Sequence, residues 1–230
     1  MYMKYKERVS TIILVMALAS LSVIIPLVIF ENVIAVFILY YIGMCLIVPF
    51  VDLILIRRIG LNDAIRLLGF AKANIKISLF VGLLHGITIF VFTICGFVIF
   101  EEVFVTSDIA TSLEQWGVSE NIRWIIFILM VLFNGIVEEI FWRGYTYGKI
   151  RNQLNKWFAI FIVTFFYSSY HLATVFTFFK ISYISIQIVL FIFAAGLIWG
   201  WMRYRFNNIW ASVIGHTLVT IGYMTIYLLL

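Results

Sequence analysis

Hydrophobic residues in this chain come in long unbroken runs, and the polar residues sit in short clusters between them. Windows of about twenty residues pick out seven runs, at 10–30, 33–55, 77–100, 123–148, 157–178, 182–202 and 208–230. At 1.5 Å per residue, each can cross a hydrocarbon core roughly 30 Å thick. A β-barrel would show alternation over segments of about ten residues instead. The pattern predicts an all-α fold, a polytopic membrane helical bundle of about seven transmembrane helices. The connection from Phe178 to Ser182 leaves room for a break that would make the count eight. Between the second and third runs, Ile59 to Ile75 interleaves Leu61, Ile65, Leu68 and Phe70 with Asp63, Arg66 and Lys72. That mixture predicts one interfacial amphipathic helix. The longest stretch outside the spans, Glu101 to Ile122, is acidic.

Composition sharpens this reading. Of 230 residues, 64% are hydrophobic and only 12% charged, whereas soluble domains carry about 25% charged residues. The expectation is a single membrane-embedded domain over residues 1–230, in contact with membrane lipids. The net charge of +5 does not point to nucleic acid, because the basic residues flank the apolar runs. The run after Lys4, Lys6 and Arg8 continues to Phe30. It exceeds a signal-peptide core of about 7–15 residues and reads as a retained first helix. Cys45 and Cys95 fall within apolar runs and read as packing residues.

Lysine and arginine placement sets an orientation. With the N-terminus cytoplasmic, all sixteen basic residues except Arg123, Lys180 and Arg143 gather on the cytoplasmic side. An odd number of spans then leaves the C-terminus outside. The reading is an integral protein of a prokaryotic plasma membrane.

Among the ionisable residues that interrupt the apolar runs, Glu138, Glu139, Arg143, His171 and His216 lie on three of the later ones. Such groups at membrane depth are expensive and mark functional sites. Counting from the basic ends of their spans, Glu138 lies about 16 Å deep, His171 about 21 Å and His216 about 12 Å. Three helices thus bring polar groups to one slab of the membrane. Glu139 and Arg143, four residues apart with the acid first, are expected to pair. Glu138 is left for chemistry, and Asn134, one turn earlier, is expected to line the same cavity. His85, with no charged companion nearby, reads as a structural hydrogen-bonding residue, and Asp52 as a partner of Arg57 and Arg58.

The segment Glu138 to Gly144, EEIFWRG, resembles the EExxxR motif of the CAAX prenyl endopeptidase and bacteriocin-processing family of intramembrane proteases, also called CPBP or Abi. Tyr167 and His171 stand where that family has FxxxH. His216 and Thr220 stand where it has HxxxN or HxxxD. The motif-bearing core spans about 123–225. The resemblance implies an intramembrane endopeptidase, historically classed as a metalloendopeptidase, with a cavity opening toward the cytoplasm. It further implies that Glu138 activates a water with help from His171, that His216 stabilises the oxyanion, and that Glu139 and Arg143 hold the site. Asn134, Tyr167 and Thr220 would complete the oxyanion and substrate contacts. The substrate would be a membrane-associated peptide or lipidated protein. No cofactor is expected. Were zinc bound, Glu138, His171 and His216 would be its ligands, although no His-Glu-x-x-His motif is present. Thr220 departs from the family pattern and offers one hydroxyl donor in place of an amide. That departure keeps open a non-catalytic reading, as an immunity or membrane scaffold protein.

Overall fold

The computed structural model describes residues 8–105 and 108–230. Lys4 and Lys6, two of the residues that set the expected orientation, lie outside the described residues. The helices are α1 (Val9–Val28), α2 (Val33–Ile56), α3 (Leu61–Leu67), α4 (Ile75–Ile99), α5 (Glu101–Val105), α6 (Ile109–Gln115), α7 (Glu120–Ile150), α8 (Lys156–Ser169), α9 (His171–Phe179), α10 (Tyr183–Phe206) and α11 (Trp210–Leu229). No strand occurs among the described residues. The protein is a polytopic helical membrane protein.

Six helices, α1, α2, α4, α7, α10 and α11, are each long and apolar enough to cross a membrane. The expected fifth span is not straight. It consists of α8 and α9, bent by 43° at a break. The break falls at Tyr170 rather than between Phe178 and Ser182. Ser169 donates its hydroxyl back to Phe166 O at 2.8 Å, and back-bonding of this kind competes with the helical ladder. Lys180, in the left-handed region at φ 54°, and the capping box of Ser182 with Ser185 then turn the chain into α10.

The amphipathic helix expected over 59–75 is shorter than its pattern suggested. Only Leu61–Leu67 is helical, because Gly69 takes φ +95°. Gly69 O then accepts from Ile209 N at 3.0 Å, which docks this segment on the start of α11. The acidic stretch is likewise not free. Val33 N donates to Trp116 O at 3.0 Å, and Asp108 N to Phe178 O at 3.1 Å.

Two glycine pairs position the site helices. Gly82 and Gly86 let α4 lie against α11; a Cβ on Gly82 would stand 2.5 Å from Ala211 O, and one on Gly86 2.6 Å from Leu218 Cδ1. Gly196 and Gly200 do the same for α10 against Thr164 and Ile160 of α8. Both pairs have the small-xxx-small spacing that allows close backbone approach in membranes. At one end of the bundle the basic residues gather. There Asp52 pairs with Lys149 at 2.6 Å as well as Arg57 at 3.1 Å, tying α2 to α7. We call this the basic end.

Candidate active site

Helix α7 carries the acidic pair on a short regular turn, Gly135–Glu139, flanked by wider π turns at Met130–Asn134 and Ile140–Thr146. Such turns are rare and concentrate at functional sites. Gly135 lets α7 approach Thr217 of α11, where a Cβ would stand 2.5 Å from the Thr217 hydroxyl. The close contact brings Glu138 and Glu139 to His216.

Glu139 and Arg143 form the expected pair, at 2.7 Å and with both side chains buried. The guanidinium also donates to Gly196 O at 3.1 Å. Its Cζ lies 4.5 Å from the Tyr167 ring centroid and 5.4 Å from that of Trp199. Tyr167 is therefore an aromatic wall for Arg143, and its hydroxyl makes no hydrogen bond among the described residues. Removing either ion would strand the other in a dry site, at a penalty of about 3–5 kcal/mol.

The same Glu139 oxygen lies 3.2 Å from Nδ1 of His216. A carboxylate only accepts, so in the neutral ring the proton sits on Nδ1 and Nε2 presents its lone pair. Nε2 lies 3.3 Å from the Asn134 amide nitrogen and 3.8 Å from Oε2 of Glu138. Trp199 stacks on the imidazole, with centroids 4.5 Å apart and planes 20° from parallel. The ring is thus fixed both in its plane and about its axis.

Glu138 is 2% exposed and accepts a 2.6 Å hydrogen bond from the Tyr170 hydroxyl. His171 does not hydrogen-bond to it. Nδ1 of His171 is engaged with Tyr167 O at 3.0 Å, and its ring stacks on Tyr170 at 4.2 Å. The bend at Tyr170 accounts for this, since the tyrosine at the break reaches the carboxylate and His171 lies behind it. His216 occupies the place beside Glu138 that the resemblance gave to His171.

Asn134 is held by four side chains. Tyr41 donates to its Oδ1 at 2.6 Å, which turns the amide nitrogen toward Thr220 (3.0 Å), Tyr223 (3.2 Å) and His216. The Thr220 hydroxyl donates to His216 O at 3.0 Å, so its only proton is engaged. Asn134 supplies an amide donor beside the position where Thr220 lacks one.

These groups lie at the floor of a cavity of about 690 Å³, lined by Glu138, His216, Asn134, Tyr170, His171 and otherwise mainly by apolar side chains. The cavity runs along α7 from Glu138 back to Arg123, away from the basic end, and reaches Trp116 and Val118 of the acidic stretch. The charge-based orientation would open it on the outer side, whereas the resemblance implies a cytoplasmic opening. Both expectations cannot hold.

The donors that zinc would need do not converge. Glu138 and His216 approach one another, His171 is engaged elsewhere, and among the described residues no group of three His, Cys, Asp or Glu could hold a metal ion. His85 differs from its expected role: neither ring nitrogen has a partner among the described residues, and it packs edge-on against Trp199 at 6.3 Å.

Tyr170, Tyr41, Tyr223 and Trp199 were not legible as site residues, because aromatic residues are common throughout the apolar runs. The one available signal for Tyr170 was its place in the polar run Ser168-Ser169-Tyr170-His171.

No curated protein and no solved structure matches the chain significantly. Residues 120–222 match the family model Rce1-like, Type II CAAX prenyl endopeptidase Rce1-like. This interval holds Glu138, Glu139, Arg143, His171 and His216, so the part of the chain that carries the site is the part similar to the Rce1-like type II CAAX prenyl endopeptidases.

Proposed function

We propose that this protein is an intramembrane endopeptidase that hydrolyses a peptide bond in a membrane-associated or lipidated peptide. The observation that carries the reading is the approach of Glu138 and His216 at the floor of an apolar, bilayer-embedded cavity, within the region that matches the family. Glu138 takes a proton from a water whose oxygen attacks the peptide carbonyl. Tyr170 fixes the carboxylate, and the proton passes to the departing amine as the C–N bond breaks. The Asn134 amide, which Tyr41 orients, and the Tyr223 hydroxyl offer donors to the oxyanion. Nε2 of His216 shares this space, where it accepts a proton when neutral and donates one when protonated, while Glu139 holds the opposite nitrogen. No step in this reading is routed through a metal. The basic end faces the cytoplasm in this reading.

The engaged hydroxyl of Thr220 favours a second reading, in which the cavity binds a peptide without cutting it. Incubating purified protein in nanodiscs with hydrophobic peptides, and mapping new termini by mass spectrometry, separates the two. Cleavage by wild type and its loss in Glu138→Gln supports catalysis. Binding without cleavage supports the second reading.

A further inference from the structure

The cavity has one charged wall opposite Glu138. Arg123, in the first turn of α7, lines it and forms no ion pair among the described residues. Its Nε is buried with no hydrogen-bond partner. The same cavity is lined by Trp116 and Val118, both buried, together with Phe100, Phe104 and Ile126. The acidic residues of the neighbouring stretch do not line the cavity, and Asp108 is paired with Lys180 at 3.3 Å. An arginine that lines a mainly apolar chamber, with its Nε buried and unsatisfied, has the donors to receive an anionic group that arrives with the occupant.

Fifteen residues separate Arg123 from Glu138, about 22 Å along the helix. An extended peptide advances about 3.3–3.6 Å per residue. The spacing corresponds to roughly six residues.

We infer that Arg123 binds a carboxylate of the peptide occupying this cavity, an aspartate, a glutamate or a chain end, about six residues from the bond that faces Glu138. The inference rests on the endopeptidase reading for that register, though the carboxylate contact itself does not require cleavage. The occupant is a peptide, because the chamber that Arg123 lines is the one that Glu138 and His216 also line, so a chain seated at the candidate site can reach it.

The test uses fluorescein-labelled Leu/Ala dodecapeptides in which one Asp is moved stepwise along the chain, each with an Asn counterpart. Binding is read by anisotropy to the Glu138→Gln protein in nanodiscs, with and without R123Q, and cleavage by wild type maps the bond. The Asp peptide should bind at least about tenfold tighter than its Asn partner in one register, near six residues from any bond cut. The ratio should fall to about one in R123Q, with R123K intermediate and thermal unfolding unchanged. Equal binding of Asp and Asn peptides, or a preference that survives R123Q, overturns the inference. A mutation that alters only the dependence on phosphatidylglycerol content assigns Arg123 to lipid and overturns it too. Cleavage without an Asp preference would sink this inference alone. An Arg123-dependent preference without cleavage would sink the endopeptidase reading and leave the carboxylate site standing.

Discussion

The Tyr170 hydroxyl, at the break between α8 and α9, donates a 2.6 Å hydrogen bond to Oε2 of Glu138 on α7. A hydrogen bond to a charged group contributes about 1.5–3 kcal/mol. Tyr170→Phe should therefore lower kcat/KM by about tenfold or more, while Glu138→Gln lowers it by roughly 10²–10⁴. Peptide cleavage rates measured side by side decide this. A Tyr170→Phe enzyme as active as wild type would mean that the hydroxyl does not position the base.

The two histidines should separate. His216 meets both glutamates, so His216→Ala should approach the loss seen with Glu138→Gln. His171 reaches the carboxylate only through the ring of Tyr170, and His171→Phe preserves that stacking. Its loss should stay below about tenfold, much less than removal of a general acid or base, which is worth about 10²–10⁴. The reverse ranking in a kinetic comparison would restore the roles implied by the family resemblance.

Asn134, not Thr220, should carry the oxyanion contact. Asn134→Leu should lower kcat by about 10²–10³. Thr220→Val should change it less than about tenfold, since the hydroxyl proton is already engaged by His216 O and one neutral hydrogen bond is worth about 1 kcal/mol. Equal losses in kcat would argue that the two residues act as one unit.

Arg143→Met leaves Glu139 buried without its cation. Thermal unfolding in detergent should show a loss of about 3–5 kcal/mol, largely relieved in the double variant with Glu139→Leu. An unchanged melting curve for the single variant would show that the pair is solvated.

The direction of the cavity can be read from labelling. With Cys95 changed to Ser, a cysteine placed at Ser119 marks the cavity end and one placed at Arg151 marks the basic end. A membrane-impermeant maleimide should label the first in intact cells and the second only after permeabilisation. The opposite pattern would restore the cytoplasmic opening and discard the charge-based orientation.

Much of the architecture was readable because apolar runs of spanning length have few soluble interpretations, and the Glu139–Arg143 pair followed from helical spacing alone. Three features were not readable for physical reasons. The bend at Tyr170 coincides with a serine back-bond, Ser169 to Phe166 O, that a hydropathy window averages away. The amphipathic run past Leu67 stops because one glycine adopts a left-handed conformation, while the hydrophobic pattern continues through it. The tyrosines around Asn134 come from α2 and α11, and their meeting depends on tertiary packing. The glycine pairs at 82 and 86 and at 196 and 200 were visible as spacing, but only the packed helices show which partners they face.

Those glycine seams have a consequence for how the site can change. Along them backbone meets neighbour with no adjustable side chain between, so the spacing of Glu138 from His216 is machined into the main chain. An alanine at Gly82 would touch none of the polar groups, yet it would lever α11 away and carry the imidazole with it. Variation in such a protein is expected to run freely over the lipid-facing surface and to halt at these notches, where a single methyl group is a displacement of the chemistry.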